Sequence, residues 1–256
     1  MLTNNQKTEL DAITNKSLDV AEQTWSQVGG ELVEKQAMAA LNAMAKSVET
    51  EIPGYPVIEH GTPKVSDFIA IVVDMRGSTD HLVKAISPKK ADVSQLQRVF
   101  YETAALLPAL AKAISYRNGA VTEYLGDGVL GLFLCEKEDG NGIYDAYNGA
   151  LKCLDTVDEV TNPILNDRYR LPPLKIGVGL SHSSAVVTLV GLTEEYMQPK
   201  VFGECVWRAT KLAQGTNQIY ICKALRLMWP TSKDGKLTFK KKSFNKLDGY
   251  LVSKNE

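Results

Sequence analysis

The chain has 256 residues, of which 44% are hydrophobic, and its formal net charge is −1. That length can bury a sizeable core, as one large domain or as one domain with an extension. The near-balanced charge excludes a protein built to neutralise many nucleic-acid phosphates, and no apolar stretch approaches the ~20 residues of a membrane span.

The first ten residues, M-L-T-N-N-Q-K-T-E-L, lack the apolar centre of a signal peptide, so the chain reads as soluble and cytoplasmic. Residues 5–50 are rich in Ala, Glu, Gln, Lys and Leu and predict two helices broken at Gly29-Gly30. Pro53-Gly54-Tyr55-Pro56 and Gly61-Thr62-Pro63 read as a linker, which divides an N-terminal helical extension (1–62) from a second unit (63–256). Residues 68–73, F-I-A-I-V-V, are an unbroken apolar run and predict a strand buried on both faces. Residues 93–116 carry apolar residues three and four apart, which predicts a helix with a kink at Pro108 and a stop at Arg117-Asn118-Gly119.

Two short strands over 120–125 and 129–134 flank the tight turn Gly126-Asp127-Gly128 and predict a hairpin. A helix over 143–160 follows, then a second pair of strands over 174–180 and 185–190, a helix over 205–214 and a strand over 218–222. Lys240-Lys241-Lys242 reads as a solvated strand edge. Cys135, Cys153, Cys205 and Cys222 have no C-x-x-C spacing and read as reduced thiols of an intracellular protein. The order strand, helix, hairpin, helix, strands, helix, strand predicts an α/β sandwich (α+β) with a mixed or antiparallel sheet of the ferredoxin-like kind.

The chemistry gathers at two carboxylates. Asp74 ends the strand over 68–73 and stands three residues before Gly77-Ser78-Thr79, which opens a helix whose free N–H groups suit a phosphate. Asp127 sits in the hairpin turn between two glycines, where a backbone can approach a ligand closely. If the strand lies beside the hairpin, both acids project from adjacent strand ends. Two such acids are the minimum for holding two divalent ions, as in many phosphoryl-transfer enzymes. Each acid alone has a blander reading, as a helix N-cap or a turn residue. Of the three histidines His60, His81 and His182, the last lies in a polar S-H-S-S stretch and reads as an exposed loop residue.

These motifs resemble those of the class III nucleotide cyclases. D-M-R-G-S-T is similar to the family's D-I-x-G-F-T, and T-E-Y-L-G-D-G-V-L-G-L-F resembles its metal-binding hairpin. K-I-G-V-G-L-S-H-S resembles the R-I-G-I-H-T-G strand, and V-F-G-E-C-V-W-R-A-T-K-L-A resembles the W-G-D-x-V-N-x-A-x-R segment. The resemblance covers residues 65–252. It implies a head-to-tail homodimer with sites at the interface, one copy supplying the aspartates and the partner supplying base-reading and transition-state residues. It further implies that Asp74 and Asp127, with the Met75 carbonyl, hold two divalent cations, Mn2+ or Mg2+.

The departures from the family pattern bear on the substrate. The two base-reading positions fall on Glu123 and Lys200, the motif asparagine is Trp207, and the transition-state arginine is Lys211, with Arg208 close by. Adenine is the poorest fit. A carboxylate beside an ammonium suits uracil, and cytosine and guanine can use the same pair. Trp207 either narrows the pocket towards a single-ring base or packs in the core. Phe68 can stack on the base or pack in the core. The pattern is similar to that of the pyrimidine cyclases of the bacterial anti-phage system Pycsar, which implies cyclic UMP or cyclic CMP made from UTP or CTP and sensed by a separate effector protein. A guanylate cyclase and a degenerate nucleotide-binding cyclase domain remain as alternatives.

Overall fold

The computed structural model describes residues 2–28, 47–59, 62–83, 93–135, 141–191, 197–230, 235–244 and 247–254. Helix α1 (Asn4–Val28) ends before the glycine pair. The second expected helix falls largely on residues 29–46, outside the described ones, and its predicted end is instead strand β1 (Ser47–Glu49). β1 pairs antiparallel with β2 (Val57–Glu59), so the Pro-Gly stretch read as a linker is the loop of this small hairpin. Gly54 turns it with φ 81°, and Ile52 and Ile58 are buried against the back of the main sheet.

That sheet is built around β3 (Lys64–Met75), which is longer at both ends than its apolar run. β3 is antiparallel to β5 (Gly128–Leu134) on one side and to β6 (Ile176–Val190) on the other. The strand order is β4-β5-β3-β6-β8-β10-β9, with β4 at Ala120–Tyr124, β8 at Gln218–Cys222, β9 at Leu237–Phe244 and β10 at Leu247–Lys254. β7 (Gln198–Gly203) pairs with the far half of β6. β6 and β8 run parallel, so the sheet is mixed, as expected.

Alternation along β3 divides the core in two. Ile69, Ile71, Val73 and Met75 face a helix layer, while Phe68, Ala70 and Val72 face the opposite side. The helix layer holds α3 (Gln95–Ser115), α4 (Asn141–Thr156) and α5 (Asn162–Tyr169), and α1 joins it by burying Leu18. α3 is one continuous helix that contains Pro108. It starts at Ser94, whose hydroxyl accepts from the Gln97 N–H while Gln97 Oε1 accepts from the Ser94 N–H. The helix expected over 143–160 runs further, through a π turn at Val157–Thr161 into α5, with Pro163 directly after the π turn.

The strand pair expected over 174–190 is a single strand. Its polar centre, Ser181 to Ser184, pairs residue by residue with Ala70 to Asp67, so β3 holds it extended. His182 therefore lies in a strand, half-buried, and not in a loop. Burial pushes its pKa below the ordinary histidine value, against an opposing pull from Asp67. On the opposite face, α6 (Glu204–Leu212) seats Cys205 and Ala209 over Ala70 and Val72. It presses so close that a Cβ on Gly179 would stand 2.1 Å from the Ala209 carbonyl oxygen. The strands β7, β9 and β10 and the short α7 (Lys223–Met228) go beyond the sequence expectation, although β9 is the solvated edge on which Lys240, Lys241 and Lys242 lie exposed.

Candidate functional site

Asp74 is the penultimate residue of β3, and the register sets it opposite Gly128 on one side and Gly177 on the other. Both neighbours lack a side chain, so its half-buried carboxylate has room on the face shared with Ala70 and Val72. Asp127 directly precedes Gly128 in the β4–β5 turn, where its carbonyl oxygen accepts from the Met75 N–H at 3.1 Å. Leu125 N–H closes the turn on the Gly128 carbonyl at 2.8 Å, with Gly126 at φ 84°. A Cβ on Gly128 would lie 2.4 Å from the Val73 carbonyl, so only glycine lets the turn come this near β3. Asp74 thus stands at the end of β3 and Asp127 in the turn that opens β5, with a backbone hydrogen bond from Met75 to Asp127 tying the two segments together.

Asp74 makes an ion pair with Arg76, whose Nε is buried without a hydrogen-bond partner among the described residues. Beyond Arg76 the chain turns at Gly77, with φ 78°, into α2 (Ser78–Val83). α2 buries none of its side chains. His81 ties it to α3: the Nδ1 atom lies 2.7 Å from Glu102 Oε2, and the other Glu102 oxygen accepts from Arg98 Nε at 2.8 Å. The Glu102 side chain is fully buried. Sequence reasoning missed Arg76, His81, Glu102 and Arg98 as participants. The signal was present for the last two, because Arg98 and Glu102 fall in phase with the buried stripe Tyr101, Ala105, Leu106, Ala109 and Leu110.

The second grouping is the pair Glu123 and Lys200. Glu123 lies on β4 after a bulge at Thr122, and Lys200 lies on β7 opposite Thr188. The ribbon of β6 and β7 packs onto the α6 side of the sheet through Val187, Leu189 and Val201, in one cluster with Leu130 and Leu132. That packing carries Lys200 Nζ to 2.9 Å from Glu123 Oε2, with both side chains about a third exposed. On α6, Trp207 is 55% exposed, so the core-packing alternative for it does not hold. Lys211 is exposed one turn further on, and Arg208 is ion-paired with Glu204.

Phe68 is corrected outright. Its side chain has no exposed surface and packs in the core with its ring 6.4 Å from that of Tyr55, so it has no face to offer a base. The three glycine-turn residues remain accessible, with Gly77 and Thr79 exposed and Ser78 half-buried. His60 lies outside the described residues. No helix among the described residues is long and apolar enough to cross a membrane.

The donor set at Asp74 and Asp127 is hard oxygen, which suits Mg2+ or Mn2+, and Arg76 already balances one of its charges with a cation. No cluster of three or more His, Cys, Asp or Glu side chains able to hold a metal exists among the described residues. A cation there would therefore rest on two side-chain carboxylates completed by backbone and ligand oxygens.

No protein-family profile matches the sequence, and no curated protein is significantly similar to it. Solved structures are similar in fold. The guanylyl cyclase Cya2 superposes with a TM-score of 0.57 at 19% identity, covering 75% of this chain and 94% of that one. The adenylyl cyclase CyaB from P. aeruginosa gives 0.59 at 14% identity, covering 76% and 97%. The guanylate cyclase domain of RhGC from Catenaria anguillulae, solved with GTP, gives 0.51 at 17% identity, covering 75% and 100%. With its mixed sheet, helix layer and carboxylate-bearing strand ends, this chain has the fold of the class III cyclase catalytic domains.

Proposed function

We propose that this chain is a pyrimidine nucleotide cyclase that converts UTP to 3',5'-cyclic UMP and pyrophosphate, working as a head-to-tail homodimer. The observation that carries the cyclase reading is the joining of Asp74 and Asp127 on adjacent strand ends through the bond from Met75 to Asp127. The similar folds named above belong to proteins described as adenylyl and guanylyl cyclases, which supports the same reaction class.

In this reading Asp74, Asp127 and the Met75 carbonyl hold the cations. Two divalent ions bound there would lower the pKa of the ribose 3'-hydroxyl and neutralise charge on the phosphates. The turn Gly77-Ser78-Thr79 receives the triphosphate next to Asp74. Lys211 and Arg208, on α6 of the partner copy, supply positive charge to the phosphorus centre as the 3'-oxygen bonds to it and pyrophosphate leaves.

Base choice rests on Glu123 and Lys200. Their 2.9 Å contact supports a single recognition unit with one acceptor and one donor. Glu123 accepts from uracil N3–H, and Lys200 donates to O4. Cytosine can use both groups too, its N4–H donating to Glu123 and its N3 accepting from Lys200. The exposed Trp207 is free to narrow the site towards a single-ring base. The Pycsar resemblance extends the proposal to a second messenger of anti-phage defence, read by a separate effector protein. Guanine presents the same edge as uracil to this pair, and cyclic GMP is the second reading.

The test is to incubate the purified chain with ATP, GTP, CTP and UTP separately in manganese and identify the products by mass spectrometry. Cyclic UMP that disappears in Asp74→Ala is the expected result. Cyclic CMP or cyclic GMP as the sole product would reassign the base, and no product from any nucleotide would overturn the enzymatic reading.

A further inference from the structure

Glu102 stands in the middle of α3, at a position where an apolar residue would continue the buried stripe. A buried carboxylate is costly unless it is paired and hydrogen-bonded, and both of its oxygens are engaged. The bond from Arg98 stays within α3 and balances the charge one turn away. The contact with His81 crosses to α2, the helix that begins three residues after the last residue of β3.

Apolar packing does not fix α2. None of its side chains is buried, and Leu82 and Val83 are 48% and 67% exposed. His81 is nevertheless drawn inward, with its side chain only 17% exposed. Its remaining ring nitrogen, Nε2, lies 3.9 Å from where a Cβ on Gly77 would stand, against the left-handed turn itself. The backbone adds a bond in the same place, from the His81 N–H to the Gly77 carbonyl at 3.1 Å. A short bond to a carboxylate locked by a guanidinium is directional, whereas an apolar contact would let α2 slide.

We propose that Glu102, held by Arg98, is a positioning residue for the Gly77–Thr79 turn and acts through His81. The inference rests on the cyclase reading, in which that turn faces the substrate triphosphate. Glu102 touches no substrate. It sets where the turn stands relative to Asp74, as partners behind a ligating group commonly do.

Two substitutions at His81 test this and leave the Glu102–Arg98 pair intact. His81→Leu removes the ring nitrogens, whereas His81→Asn keeps an N–H donor near the place of Nδ1. Hydrogen exchange is followed over residues 77–83, and KM and kcat are measured with UTP and manganese. His81→Leu is expected to speed exchange at 77–83 with the rest of the chain unchanged, and to raise KM on the order of 10–100-fold with a smaller effect on kcat, the size seen when an orienting partner is lost. His81→Asn is expected to restore most of both. Unchanged exchange at 77–83 in His81→Leu overturns the inference whatever the chain turns over. Lower thermal stability with unaltered KM also overturns it, because a purely structural role would do that. Faster exchange at 77–83 in a chain whose wild type binds no nucleoside triphosphate sinks the cyclase reading and leaves the anchoring of α2 standing.

Discussion

At the scale of single residues, the site is a problem of placing like charges near one another. Asp74 and Asp127 repel, and Arg76 offsets part of that repulsion from within the same loop. In the proposed reading, Arg76 thereby competes with the divalent cations for these carboxylates. A half-exposed ion pair contributes up to ~1 kcal/mol. Arg76→Ala is therefore expected to lower the half-saturating manganese concentration by up to about fivefold, as read from manganese titrations of turnover or heat of binding. An unchanged or higher requirement would mean that Arg76 helps the cation or the phosphates bind. The placement of the two aspartates at neighbouring strand ends was legible because each stands beside a glycine turn in a recognisable order. Phe68 was not, because an unbroken apolar run marks a strand covered on both faces and carries no sign of which residue, if any, meets a ligand. Glu102 was hidden for a related reason: a carboxylate in phase with an apolar stripe looks like a periodicity error until its partners, Arg98 on the same helix and His81 on another, are seen together.

At the scale of elements, the strands that apolar runs announce were found, and those that depend on pairing were not. β6 was divided at Ser181 to Ser184 because nothing in those residues favours burial, yet the edge of β3 dictates their conformation over four consecutive pairs. β7 contains Pro199 and lacks alternation of any length, so its existence rests on the partner strand. The burial of His182 within β6 has a thermodynamic signature. Its folded-state pKa is lowered, so below about pH 6.5 the unfolded chain takes up a proton that the folded chain resists. Stability is therefore expected to fall as pH drops through that range and to level off below the folded-state value. His182→Thr should lose less melting temperature than the wild type between about pH 7.5 and about pH 5.5, measured by calorimetry or circular dichroism. An equal loss in both would mean that other groups carry the acid sensitivity.

At the scale of the whole molecule, α1 is bound to the body by a few apolar contacts ringed by charge. Leu10 is fully buried with Ala109 of α3 and Val160 of the π turn. Around it Lys112 pairs with Glu9 at 2.6 Å, Lys7 with Glu159 at 2.6 Å, and Arg168 with Asp19 and Glu22 at 2.9 and 2.7 Å. Exposed pairs of this kind contribute little each, so the leucines should dominate. Leu10→Ala is expected to cost ~2–5 kcal/mol, read as a lower urea midpoint with an unchanged slope if α1 unfolds together with the body. A separate early transition would mean that α1 detaches by itself. The same packing has a consequence for the order of synthesis. α1 leaves the ribosome before the elements it packs on, and the Arg168 that clamps Glu22 follows that glutamate by 146 positions. At 5–20 residues per second that is a wait of roughly seven to thirty seconds, during which Leu10 and Leu18 have no socket. α1 is thus made well before it can dock, and the growing chain must carry its apolar stripe uncovered until the helix layer is complete.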